Sequence, residues 1–205
     1  MLERRLTLWH APGACSTVAV IALEEARAAY DIQRVDLAAG EQRDGRFRDI
    51  NPKGKVPVLS IGEMVLTELP VILLWLHEQF ESAALLPAKS RAQAHFACLS
   101  DLDWCAATLH PIVRQIAAPS KFTAGSTDDV RADGIGKFHE VCTLLSARVS
   151  GGWLHGDWTV GDAYVHWICL KAALSGFPLD EYPAIVRHSE RAAARPTCQR
   201  ALACG

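Results

Sequence analysis

The run Leu6-Thr7-Leu8-Trp9-His10-Ala11-Pro12-Gly13-Ala14-Cys15-Ser16-Thr17 passes from an apolar segment, through a turn, into an Ala/Val/Ile/Leu-rich segment. Leu6 to His10 reads as a strand and Pro12-Gly13 as a turn, so Cys15 falls at or near the start of a helix. The first N–H groups of a helix are unpaired and carry partial positive charge. A thiol placed there is pushed toward thiolate, the form that attacks electrophiles and disulfides. The stretch therefore suggests thiol chemistry, either on Cys15 itself or on a thiol substrate held beside it. The plainer reading is a small buried cysteine.

Outward from this turn, residues 1–80 alternate between strand and helix patterns. Thr17 to Tyr30 carries Val18, Ile21, Ala22 and Ala26 near helical period, and Ile32 to Leu37 reads as a second strand. A polar, glycine-punctuated stretch runs from Gly40 to Asp49. Val56 to Ile61 and Met64 to Thr67 read as strands joined by Gly62-Glu63, a two-residue hairpin with glycine first. Pro70 to Gln79 reads as a helix with proline in its first turn. The predicted order is β-α-β-(α)-β-β-α. Residues 81–90 read as a linker, and residues 91–205 contain no convincing strand. Helices are predicted over Ala92–Ile116, Asp128–Val149, Thr159–Leu174, Pro183–Ala194 and Thr197–Ala203, and Thr159-Val160-Gly161-Asp162 is a capping-box start.

The 205 residues suffice for one large or two small domains, and 50% hydrophobic with 21% charged residues is ordinary globular composition. A net charge of -2 leaves no electrostatic footprint for nucleic acid. The cysteines, at 15, 98, 105, 142, 169, 198 and 204, are odd in number and include no C-x-x-C pair. That argues against a disulfide framework and a zinc site, so no metal is expected. Reduced thiols suit a cytoplasmic location. Arg4 and Arg5 before an apolar run ending in Cys15 loosely mimic a lipoprotein leader, but the run of about five residues is too short for one. No stretch approaches the ~18 apolar residues of a spanning helix, so no membrane partner is expected.

A β-α-β-α-β-β-α half joined to an all-helical half, with cysteine after the first strand, resembles a glutathione transferase. The resemblance spans the whole chain. It rests on Pro12-Gly13-Ala14-Cys15-Ser16, on Asn51-Pro52-Lys53-Gly54-Lys55-Val56-Pro57, on Leu66-Thr67-Glu68, on His110, and on Thr159-Val160-Gly161-Asp162-Ala163-Tyr164. These are similar to the bacterial beta class in particular. The implied fold is an α/β thioredoxin-like N-terminal domain (1–80), a linker (81–90) and an all-α C-terminal domain (91–205). The implied ligand is glutathione, as substrate, and the implied assembly is a homodimer.

By the same resemblance, Val56-Pro57 is a cis bond that turns the Val56 main chain toward the cysteinyl part of glutathione. Glu68 holds the amine of the γ-glutamyl end, and the helix start at Leu69 holds its carboxylate. His110 lies near the glutathione sulfur, and Asp103, two turns earlier on the same helix, reaches the ligand amine across a dimer interface. Thr159 and Asp162 serve folding. The plainer readings are an edge-strand proline, a solvated acid near a helix start and a histidine bonded within the interface. Trp9, His10, Trp104, Phe122 and Trp167 are candidates for a hydrophobic co-substrate pocket, beside their reading as core.

Three departures stand out. Leu69 occupies the place of a hydroxyl residue that would bond the glutamyl carboxylate, a bond worth roughly 1.5–3 kcal/mol. The lysine expected after the second strand to hold the glycine carboxylate is absent from Ala38-Ala39-Gly40. Arg43, Lys53 and Lys55 are substitutes among which spacing does not choose. Lys171 stands where relatives carry an aromatic, pointing to an acidic co-substrate or to a solvated helix position.

The leading expectation is an enzyme adding the glutathione thiolate to a small, mostly apolar electrophile. Cys15 would hydrogen-bond the glutathione sulfur or form a mixed disulfide with it, and Ser16 is the alternative sulfur stabiliser. A monothiol disulfide oxidoreductase is a second reading, since Cys15-Ser16-Thr17-Val18 lacks the second cysteine. A third is a non-catalytic binding protein whose glutathione site has decayed.

Overall fold

The computed structural model of the chain describes residues 5–204, so Arg4 of the leader comparison lies outside them. The chain divides into two compact units, Met1–Leu86 with Pro196–Gly205, and Pro87–Arg195.

The first unit is built on a four-stranded mixed sheet of order β2-β1-β3-β4, comprising β1 (Leu6–His10), β2 (Tyr30–Arg34), β3 (Val58–Ile61) and β4 (Met64–Thr67). β1 pairs parallel with β2 and antiparallel with β3. Its helices are α1 (Ser16–Glu25), the single turn α2 (Gly45–Arg48), α3 (Leu69–Gln79) and, from the far end of the chain, α9 (Pro196–Ala203). The period-2 alternation of a strand divides β1 between two faces. Trp9 packs on the side of Phe47, Val35 and Val58 under α2, leaving Leu6, Leu8 and His10 buried on the other side.

Several boundaries differ from the sequence expectation. α1 stops at Glu25 rather than Tyr30, because Arg27 turns left-handed at φ 49° and the Ala28 N–H closes back on the Leu23 carbonyl. β2 is Tyr30–Arg34 rather than Ile32–Leu37. Its partner β1 ends at His10, and the Val35 N–H makes the last bond to the His10 carbonyl at 2.8 Å. β3 begins at Val58, since Pro57 has no N–H to give to the ladder. The C-terminal helix joins the first unit, where Thr197 Oγ1 donates to Glu25 Oε1 at 2.6 Å and the Arg200 guanidinium meets Glu24 at 2.5 Å.

The second unit is helical throughout: α4 (Ala92–Trp104), α5 (His110–Ala117), α6 (Thr127–Val149), α7 (Val160–Leu174) and α8 (Pro183–Ala193). The sequence predicts one helix over Ala92–Ile116. The structure instead interrupts it with a widened π-helical turn, Cys105–Leu109. Pro111 supplies the reason: its ring would collide with the carbonyl four residues earlier, that of Ala107, and it offers no N–H. Among the described residues, no helix is long and apolar enough to cross a membrane, and no group of three or more His, Cys, Asp or Glu is arranged to hold a metal.

Buried carboxylates organise this unit. Asp162 closes a capping box with Thr159 and accepts from the Leu154 N–H at 2.9 Å, the Thr159 N–H at 3.0 Å and His188 Nε2 at 2.9 Å. Asp101 receives both arms of Arg148, and His155 Nε2 lies 3.0 Å from its Oδ2. The Asp101 and Cys98 hydrogen bonds push the His155 imidazole up to about 9. Burial, with help from His188, pushes His166 down to about 4.

Two tests follow from these networks. Asp162→Ala removes the acceptor of several buried donors and strands His188, so it should cost about 3–5 kcal/mol in urea denaturation. His166 is neutral when folded yet charges below its ordinary pKa of 6.5 when unfolded, so stability falls as pH drops from 6.5 toward 4. The His155 contribution is full below 6.5 and is lost as pH rises toward 9. Melting temperature against pH should therefore fall on both sides of neutrality. His166→Phe should flatten the acid limb and His155→Gln the alkaline one.

Candidate functional site

Cys15 is the N-cap residue of α1, at the end of the turn that leaves β1. Its side chain is 9% exposed, and its thiol donates to the Val56 carbonyl at 3.8 Å. The turn is held from within by Ser16. The Ser16 hydroxyl lies 2.8 Å from His10 Nδ1, accepts from the Ala11 N–H at 3.2 Å and reaches the Ala11 carbonyl at 3.2 Å. Ser16 is fully buried, so its hydroxyl faces the protein interior rather than a ligand sulfur. His10 is 1% exposed, and burial together with Arg34 keeps its imidazole below the ordinary histidine value.

The strand opposite Cys15 is approached by a second pinned turn. Asn51, itself buried, donates from Nδ2 to the Lys55 carbonyl at 2.7 Å and accepts the Lys53 N–H at 3.2 Å. Gly54 sits at φ 61°, and a Cβ there would stand 2.8 Å from the Gln42 carbonyl oxygen, which excludes any side chain. The Val56-Pro57 bond is cis. Beyond the β3–β4 hairpin, Glu68 takes φ 68° and ψ 122° immediately before α3, a strained conformation for a residue other than glycine. It makes no capping bond. Its carboxylate pairs instead with the Lys53 ammonium at 2.6 Å, and that ammonium also donates to Thr67 Oγ1 at 3.0 Å. Leu69 turns its side chain into the core at 4% exposure.

Six candidates lie in the helical unit. His110 Nδ1 is 3.2 Å from the Tyr164 hydroxyl, and its ring meets Trp167 edge to face at 4.8 Å between centroids. Trp167 is buried and Trp104 and Lys171 are half-buried, while Asp103 is exposed. Phe122 is exposed beneath the Arg114 guanidinium, which stands 5.6 Å from its ring centre. Asp103 and His110 do not share one helical stripe as their spacing suggested, because the widened turn Cys105–Leu109 inserts between them and shifts the phase. Trp9 and His10 are likewise not lining residues of one cavity. Trp9 donates to Ser60 Oγ at 3.2 Å and packs edge to face on Phe47, whereas His10 is buried on the opposite face. The roles of Lys53 and Asn51, and the pairing of Tyr164 with His110, were not identifiable from spacing.

Comparison with known proteins gives this arrangement its class. Residues 4–78 match the glutathione S-transferase N-terminal domain. Glutathione S-transferase GstA of Escherichia coli O157:H7 is 28% identical over 96% of this chain and 97% of its own. Maleylpyruvate isomerase of Ralstonia sp. is 35% identical over 92 residues, which are 45% of this chain and 42% of that one. A bacterial beta class glutathione S-transferase from Sphingomonas chungbukensis superposes with a TM-score of 0.85 at 29% identity, covering 97% of this chain and 98% of that one. A sphingomonad glutathione S-transferase complexed with glutathione superposes at 0.86 with 28% identity and the same coverage. The first unit is thus a thioredoxin-like domain of the glutathione S-transferase type. Along its whole length the chain is similar to bacterial glutathione S-transferases, and in structure it is similar to one of the beta class.

Ser16→Ala separates a structural hydroxyl from a sulfur-activating one. Leaving His10 and the Ala11 N–H without their buried partner should cost about 1–3 kcal/mol in urea denaturation. The alkylation rate of Cys15, followed by peptide mapping to distinguish it from Cys204, should change little.

Proposed function

We propose that this chain binds glutathione in its first unit and uses the thiolate against a small electrophilic carbon. The observation that carries this reading is the approach of the Cys15 thiol to the Val56 carbonyl, beside cis Pro57. Main-chain groups for a cysteinyl ligand and a sulfur-directed side chain thus lie side by side in one unit. In this reading Cys15 hydrogen-bonds the glutathione sulfur, and Val56 pairs with the cysteinyl main chain. Glu68 holds the γ-glutamyl amine, and the first N–H of α3, on Leu69, is offered to its carboxylate. The glutathione thiol gives up its proton to water. Its sulfur then bonds to the electrophilic carbon, while a leaving group departs with its electron pair or a conjugated double bond takes up a proton. In the helical unit, His110, Tyr164 and Trp167 form a polar-aromatic cluster. The same reading implies a homodimer of 22.3 kDa chains.

The identity to a maleylpyruvate isomerase supports a second reading. There the thiolate adds to a cis double bond, the resulting single bond rotates, and elimination returns the thiolate, so glutathione is regenerated. Disulfide reduction is the third. Glutathione accounting distinguishes the three: one molecule is consumed per conjugate, none per isomerisation, and two are oxidised per disulfide reduced.

Calorimetric titration of the reduced protein should show saturable glutathione binding at roughly millimolar or tighter. No binding at several times that concentration overturns the proposal. Cys15→Ala should lower kcat by about tenfold or more while leaving the dissociation constant within about threefold. Full retention of turnover would remove Cys15 from the chemistry.

A further inference from the structure

Leu69 leaves the proposed glutathione site without the hydroxyl expected beside Glu68, and its side chain is committed to the core. A cation stands close by. The Asn51-pinned turn carries Lys53 to the end of β4, where its ammonium lies 2.6 Å from Glu68 Oε1 and 3.0 Å from Thr67 Oγ1. These residues are 15 apart in sequence, and both side chains remain about half exposed. The pair is therefore not sealed in the interior, where separating it would be costly. A half-exposed ion pair contributes little to stability and exchanges its partners readily.

We infer that Lys53 is the receptor for the α-carboxylate of the ligand's γ-glutamyl end, in place of the missing hydroxyl. This rests on the glutathione reading above and assigns a further binding residue to that site. An α-amino acid terminus carries an ammonium and a carboxylate on one carbon. Glu68 and Lys53 present the same two charges in complementary order. Entry of the ligand sets its ammonium against Glu68 and its carboxylate against Lys53, so each charge meets opposite neighbours. The adjacent Leu69 N–H at the start of α3 favours the same carboxylate. The site then selects a free α-amino acid end, and a thiol tripeptide lacking that carboxylate loses the contact.

Paired titrations of the reduced protein test this. Wild type and Lys53→Gln are each titrated with glutathione and with 4-aminobutyryl-cysteinylglycine, which keeps the amine and lacks the α-carboxylate. In wild type the analogue should bind about tenfold more weakly than glutathione. Lys53→Gln should bind glutathione about tenfold more weakly and discriminate between the two ligands by less than about twofold. Lys53→Arg, which keeps the charge, should restore discrimination and guards against a trivial folding defect. An equal analogue penalty in wild type and Lys53→Gln overturns the inference while leaving the glutathione reading intact. Tighter glutathione binding by Lys53→Gln also overturns it, because Lys53 would then be competing with the ligand amine for Glu68. Absence of glutathione binding to wild type overturns both.

Discussion

A single buried hydroxyl holds the turn that carries the Cys15 sulfur. Ser16 ties His10, the last residue of β1, to both main-chain groups of Ala11, so strand end and helix start become one rigid corner. Cys15 is carried on the outside of that corner, one residue away. Its direction is therefore fixed by hydrogen bonds to which it does not contribute. The rest of the first unit serves the same geometry from the other side. Asn51 pins the incoming loop, cis Pro57 follows Val56, and the Val56 carbonyl arrives 3.8 Å from the thiol. The chemistry assigned to this corner needs a sulfur held still against main-chain groups, and the corner supplies both parts.

The helical unit solves a different problem with different means. Its buried carboxylates gather loop N–H groups, histidines and an arginine, and so fix the segment between α6 and α7 without sheet pairing. Burial alone would push Asp101 up, but the His155 and Arg148 hydrogen bonds outweigh it and keep the carboxyl low. Three thiols of this unit go the other way. Burial pushes Cys142 up to about 12 and Cys105 and Cys169 well above the ordinary range, so they act as small apolar side chains. The chain thus separates its cysteines by environment, with Cys15 at a helix start, Cys204 partly exposed and the others in core.

Features set by neighbouring residues were legible in the sequence. The Leu6–His10 strand, the Gly62-Glu63 hairpin, the Thr159/Asp162 capping box and the cysteine at the head of α1 each depend on residues within a few positions of one another. Features set by distant partners were not. The length of β2 is decided by where β1 ends, and α1 ends on Arg27 without a glycine to mark it. The long helix was read as unbroken through Pro111, and the widened turn that separates Asp103 from His110 is a three-dimensional answer to the steric conflict that proline creates. In the site, Lys53 meets Glu68 only because the β3–β4 hairpin brings the two turns together.

The last helix carries a consequence for how this protein is made. α9 packs on α1 through Thr197 and Arg200, so the first unit in chain order is completed by residues made only after the whole helical unit. At about 5–20 residues per second, the intervening helical unit delays that completion by roughly 5–20 s. During that interval α1 lacks the helix that packs on it, and Glu24 and Glu25 lack their Arg200 and Thr197 partners. The helical unit, continuous in sequence, has no such wait. Biosynthesis therefore reverses the order in which the two units can be completed, and the C-terminal end of α1 gains its partners only after the helical unit has been made.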